Sequence, residues 1–335
     1  MLPPLLALSL ALVPQDTPNP SVSEPPPARL ELEFRVSPLA DLWFDVRHRA
    51  AEGQRDPLLD PAIAAMRVLE RELGSPLFFG WVEGHLLEAT DAEALLTRFG
   101  ELPETQSLRG LSGPVEVPLR ASASAVAAAL VELEPRWLQT RWGPRRDALE
   151  EEAVRLTQRL ASEAGRDALA FLLAGFQLPP PAEPVPVLLV RRGPEPGAVT
   201  HRRRGGGGVA FVATDSFPGS LLDEAVLHEA LHAVDVLGRE SLVTRLRAAL
   251  GRAGVGRRDP RQRDWVHALF FLHAADTVRR FLDDEHLPYG EARGAYVRMG
   301  SVIGVLRPLW ESHGAGELGE AGLIERVVEA VGRAE

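Results

Sequence analysis

Two apolar periods share this chain. Leu30, Leu32, Phe34 and Val36 are separated by polar neighbours, a period of two that predicts a half-buried strand. From there the spacing turns helical: residues 39–51, 61–73, 91–99, 123–133 and 146–173 carry mixed apolar spacing, with Gly and Pro between the segments. A Pro-rich stretch at 178–186 interrupts the pattern, and the short apolar runs 187–190 and 209–214 read as strands.

Beyond them lie two segments whose apolar residues cover every side. Leu221, Leu222, Ala225, Val226, Leu227, Ala230, Leu231, Ala233, Val234 and Val236 make 221–237 a helix without Gly or Pro. Residues 261–282 are as dense, with Trp265, Val266, Leu269, Phe270, Phe271 and Leu272. A helix that is apolar all round is a buried one. Residues 291–310 and 318–333 predict amphipathic helices that cap it. The pattern predicts an α+β fold, predominantly helical, with a small sheet. A mostly helical region is expected over 29–180 and a second unit over 181–335.

Composition narrows the function classes. Of the 335 residues, 45% are hydrophobic and 25% charged, ordinary globular values, and the net charge of −10 argues against a nucleic-acid or anionic-membrane partner. Every basic residue is Arg, which reads as coding bias. Cysteine is absent, which excludes disulfides, thiol catalysis and Cys metal ligands. Residues 2–13 form a Leu-rich run too short to span a bilayer and long enough for the core of a signal peptide. The expectation is a signal peptide over 1–15, a Pro-rich linker over 16–28, a secreted or periplasmic location, and no stable membrane insertion.

The buried helix at 221–237 carries His228-Glu229-Ala230-Leu231-His232. Two histidines four residues apart sit about 40° apart around a helix and about 6 Å along it, so both imidazoles reach one metal ion. Nine His in 335 residues, with Glu taken at about a tenth, predict roughly 0.02 chance matches to this pattern. Buried imidazoles without partners cost roughly 1–3 kcal/mol each, and Zn²⁺ satisfies both. Glu229, beside them, is placed to act as general base on a metal-activated water.

Residues 208–235 resemble the active-site helix of the zincin metallopeptidases and the strand before it. The metzincin variant requires Gly at 235 and His or Asp at 238, and this chain has Asp235 and Gly238. The resemblance therefore implies a gluzincin-like arrangement, with a third ligand from a later helix. It also implies a zincin-like fold in which the strand at 209–214 is an edge of the sheet and pairs with an extended peptide substrate. The run Trp265-Val266-His267-Ala268-Leu269, with Ala274-Ala275-Asp276, is similar to a group of bacterial zincin-like proteins that carry Glu where Asp276 stands.

Three residues of the second buried helix are candidates for the third ligand: His267, His273 and Asp276. Taking His267 as zero at about 100° per residue, Asp276 falls near 180°, Arg280 near 220° and His273 near 240°. Phe270, Phe271 and Ala274 flank His267, which places it toward the core. Asp276 and Arg280 have i,i+4 spacing and their own reason to pair. His267 is the expected third ligand and Asp276 the alternative, with Glu285 and Glu311 also in reach of the pattern. Asp235 is a candidate to orient an imidazole, and Tyr289, in the turn 287–290, to hydrogen-bond an oxyanion. The basic, Gly-rich run from His201 to Gly208 reads as a solvated hairpin tip. The expected activity is zinc-dependent hydrolysis of a peptide or protein substrate. A zinc hydrolase of another amide, and a secreted zinc-binding protein without turnover, are the rivals.

Overall fold

The computed structural model describes residues 29–74, 79–110, 113–202, 207–235, 241–256 and 259–333. The signal peptide and linker expected over 1–28 lie outside them. The first half runs β1 (Leu32–Val36), α1 (Pro38–Ala51), α2 (Asp60–Leu73), α3 (Gly80–Glu83), α4 (Ala92–Gly100), β2 (Gln106–Gly110), β3 (Gly113–Val117), α5 (Leu119–Trp137), α6 (Gly143–Ala161) and α7 (Glu163–Phe176). The second half supplies β4 (Val185–Val190), β5 (Ala198–Arg202), β6 (Gly208–Ala213), α8 (Ser220–Asp235), α9 (Leu242–Arg252) and α10 (Pro260–Phe281). It closes with α11 (Tyr289–Ala292), α12 (Ala295–Met299), α13 (Ser301–Gly314) and α14 (Glu320–Arg333). The molecule is α+β and mostly helical, with a small mixed sheet. Among the described residues, no helix is long and apolar enough to cross a membrane.

Local chemistry sets several of these boundaries. Ser37 caps α1 through its Oγ, which accepts from Ala40 N at 3.3 Å, and Pro38 follows with its φ already helical. Helix α2 stops where Gly74 turns left-handed at φ 65°. The single helix expected over 146–173 is two, because Ser162 takes an extended ψ of 166° and its Oγ accepts from Gly165 N at 3.0 Å. A side chain at Gly165 would collide with the Arg159 carbonyl, so the tight corner depends on that glycine.

The four-stranded sheet has the order β1-β4-β6-β5. Strands β1, β4 and β6 are parallel, with Phe34 opposite Val187 and Leu188 opposite Phe211. Strand β5 runs antiparallel to β6, with Thr200 opposite Ala210. Every residue of β4 and β6 is buried, the pattern of inner strands covered on both faces. Leu188, Val190, Val209, Phe211 and Ala213 face a core built with α1, α2, α4 and α5. Val187, Leu189, Ala210 and Val212 face the other way, onto Leu149 and Leu156 of α6 and Leu222 and Val226 of α8.

This topology moves the expected edge strand. The run at 209–214 is interior, and the edge on its side of the sheet is β5, of which only His201 and Arg202 fall in the run read as a hairpin tip. GVAFVA has no polar face to turn to water, so it lies between two partners. Part of the expected tip is strand. His201 and Arg202 complete β5, His201 is buried, and residues 203–206 lie outside the described set. Strand β1 pairs with β4 across residue 180, and the first core cluster draws on both halves.

A buried carboxylate fastens β5 to the N-terminal helices. Glu83 of α3 has 0% exposure and accepts from Trp43 Nε1 at 2.9 Å and Arg47 Nη1 at 2.6 Å, while His201 Nε2 lies 2.6 Å from its other oxygen. Burial alone would raise its pKa, but the Arg47 charge and the bonds from His201 and Trp43 outweigh it and hold the carboxyl down at about 2. The guanidinium of Arg47 in turn lies 3.8 Å over the Phe79 ring.

A pH dependence of stability follows from this group. Its folded pKa lies below the ordinary 4.5, so the stabilisation is complete above that value and is lost as pH falls toward about 2. The loss should be on the order of 3 kcal/mol. Urea midpoints measured between about pH 5 and about pH 2.5 should fall more for the wild type than for Glu83→Gln. Parallel falls would show that Glu83 does not carry the effect.

Candidate metal centre

Helix α8 has no solvent face: thirteen of its 16 residues are buried. Its approach to the sheet is close, since a Cβ on Gly208 would come within 2.6 Å of the Ala233 Cα. Gly208 thus lets the turn that carries His232 seat directly on β6. Helix α10 packs along the other side, and Phe270 and Phe271 wall the histidines in, with Phe271 4.3 Å from the His228 ring and Phe270 4.6 Å from the His232 ring.

The structure brings His228, His232 and His267 together. His228 Nε2 lies 3.1 Å from His232 Nε2 and 3.0 Å from His267 Nε2, and the three candidate ligand atoms all lie within 4.8 Å of one another. Burial, followed by the charges of the other two imidazoles, drives the His228 pKa well below 6.5. Burial, with His267 and Arg247, does the same to His232, and burial with Arg263 takes His267 down to about 4. All three rings are therefore neutral at pH 7, the state in which imidazole binds a metal.

The donor set fits a metal ion. A neutral ring nitrogen carries one hydrogen or one lone pair, so His228 Nε2 cannot satisfy two neighbouring nitrogens at once. One cation among them satisfies all three. In a tetrahedral zinc site with bonds of 2.0–2.1 Å, neighbouring nitrogens stand about 3.3 Å apart, so the observed spacings need open only slightly. Three nitrogen ligands leave a fourth position for water or substrate.

Glu229 has 7% exposure and lines the same cleft as the three histidines. Thr200 Oγ1, on β5, lies 2.7 Å from Glu229 Oε2 and 2.9 Å from the Glu229 carbonyl oxygen. Burial raises the Glu229 carboxyl to about 7, against the bond from Thr200. The cleft is about 650 Å³. Strand β5 forms one wall, α8 the floor, and α10 with Tyr289 the other side.

The remaining candidates lie elsewhere or act otherwise. Asp276 pairs with Arg280 at 3.0 Å and lines a separate, smaller cleft that also holds Glu311. His273 faces away, into Phe171, Phe176 and Trp310, with Nε2 3.1 Å from the Leu172 carbonyl. Glu285 is exposed. Asp235 does not orient an imidazole: it is buried, pairs with Arg247 Nη1 at 2.9 Å and accepts from Ser241 Oγ at 3.3 Å, tying α8 to the start of α9. Tyr289 lies in the cleft wall with its ring stacked on Phe271, 5.8 Å between centroids.

Two polar neighbours were not picked out from the sequence. Thr200 had no signal, because its contact with Glu229 crosses from strand to helix. Glu224 had one: it precedes His228 by four residues, the spacing that relates His228 to His232, and it lines the cleft. No family model, no curated protein and no solved structure matches the chain, so the site stands on its own chemistry.

The third ligand can be tested directly. His267→Ala should lose zinc affinity strongly against a competing chelator at one pH. Asp276→Asn should keep it and lose only a surface pair worth a few tenths of a kcal/mol. Wild-type affinity in His267→Ala would reject the three-histidine set.

Proposed function

We propose that the protein is a zinc-dependent metallopeptidase of the zincin kind, with His228, His232 and His267 as ligands and Glu229 as general base. The observation that carries the reading is the convergence of three neutral imidazole nitrogens beside a buried carboxylate in a cleft walled by an edge strand. Zinc in such a site acidifies water and polarises a carbonyl group. Glu229 then accepts the proton of the attacking water and passes it to the leaving amine, a role for which a carboxyl near neutrality suits it. Thr200 fixes the orientation of that carboxylate. Strand β5 offers a backbone against which an extended peptide can lie, which holds a chain without reading most of its side chains. Export rests on the sequence of residues 2–13.

One observation favours the rival reading of a zinc-binding protein without turnover: Glu229 is buried and engaged by Thr200. Against it stands the cleft, which reaches Glu229 and all three histidines and has room for a peptide residue.

Glu229→Gln should retain zinc and fold while cleavage of an unstructured peptide library falls by about 10²-fold or more. Equal cleavage by variant and wild type would remove Glu229 from the mechanism. Zinc-loaded protein that cleaves nothing would leave the binding-protein reading in its place.

A further inference from the structure

One turn before His228 on the same face of α8, Glu224 lines the cleft with 1% exposure. Its Oε2 accepts from Tyr289 N at 2.7 Å and lies 2.7 Å from His286 Nε2, whose Nδ1 is 2.9 Å from Ser220 Oγ. Those contacts pin the segment between α10 and α11 and use one oxygen. Oε1 has no hydrogen-bond partner among the described residues. A buried carboxylate oxygen left without a donor is costly, and the cleft that Glu224 lines is the route by which a ligand could bring one.

We propose that Glu224 binds the α-amino group of the substrate, so that the cleft takes peptides by their free amino terminus. The inference rests on the metallopeptidase reading and deepens it. The reach is right for a single residue. Four residues of helix separate Glu224 from His228 by about 6 Å along the axis. The amino nitrogen of a terminal residue lies two bonds from its carbonyl carbon, so one residue is short enough to set its carbonyl at the histidines and its ammonium toward Glu224. The charges along the cleft agree with that orientation. Glu224 marks one end of the histidine row on α8, while Arg247, itself paired with Asp235, and Arg263 line the cleft and bear on His232 and His267. The amino end of a chain meets the acid and the rest of it runs toward the arginines. A lysine side chain carries the same ammonium, but on a stem too long for this spacing.

Binding of small hydroxamates to the zinc-loaded protein, measured by calorimetry near pH 7, separates the possibilities. Leucine hydroxamate has a free α-amine, N-acetyl-leucine hydroxamate has none, and N-acetyl-lysine hydroxamate has only a side-chain ammonium. Leucine hydroxamate should bind about tenfold or more tighter than either acetylated probe. Glu224→Gln keeps an acceptor for His286 and Tyr289 N, and it should erase that preference while leaving N-acetyl-leucine hydroxamate binding unchanged. That unchanged binding also reports an intact fold. Equal binding of all three probes by the wild type, preference for the lysine probe, no binding of any, or a preference that survives in Glu224→Gln would each overturn the proposal. Cleavage of N-acetylated peptides without a preference for the free amine would sink this inference and keep the peptidase reading. Preference for the free amine in a protein that cleaves no peptide would do the reverse.

Discussion

A helix buried on every side cannot leave a polar group to water, and the rest of this structure is arranged around that constraint on α8. Each polar residue of the helix is answered by a different element. Asp223 meets Arg155 and Arg159 of α6, and Glu224 meets His286 and the start of α11. His228 and His232 meet His267 of α10, Glu229 meets Thr200 of β5, and Asp235 meets Arg247 and Ser241 at α9. Breaking any one of these leaves a buried polar atom unpaired, a cost of about 1–3 kcal/mol. The same residues that fix the positions of the neighbouring elements therefore line up the chemistry of the cleft.

Burial also sets the protonation states that the proposed chemistry needs. It disfavours charge on all three imidazoles and on Glu229 alike, yet the consequences differ. For the histidines the result is three lone pairs free to bind a cation. For Glu229 it is a carboxyl that exchanges a proton near neutral pH. Glu83 shows the opposite outcome at the same depth, because Arg47, His201 and Trp43 surround it and keep it ionised. Depth alone does not decide the charge; the partners at that depth do.

The parts of the site carried by helical spacing were legible in the sequence. His228, Glu229 and His232 follow from i,i+4 geometry, and the angle between His267 and Asp276 around one helix separates a core-facing residue from one that pairs with Arg280. What the chain lacked were signals for contacts between distant segments. Strand β5, AVTHR, has no alternation of its own, and its His201 is buried only because Glu83, far earlier in the chain, receives it. The interior place of β6 was written in its unbroken apolar run, but the resemblance to zincins made it an edge, and nothing in the run showed that β5 covered its far side. The corner at Ser162 escaped notice because the apolar spacing continues across it, and the turn is made by one side chain and one glycine.

The tie between Glu83 and His201, together with the pairing of β1 with β4, means that the candidate metal centre is not a portable module. A fragment beginning near residue 181 would keep every proposed ligand and still lose an outer strand of its sheet and the clasp on its edge strand. The width of the cleft is thus gauged from the far end of the chain. Sequence drift among the N-terminal helices, which hold none of the three histidines, would reshape the cleft before it disturbed the histidine cluster, so the shape of the cleft and the cluster beneath it can evolve on separate parts of one molecule.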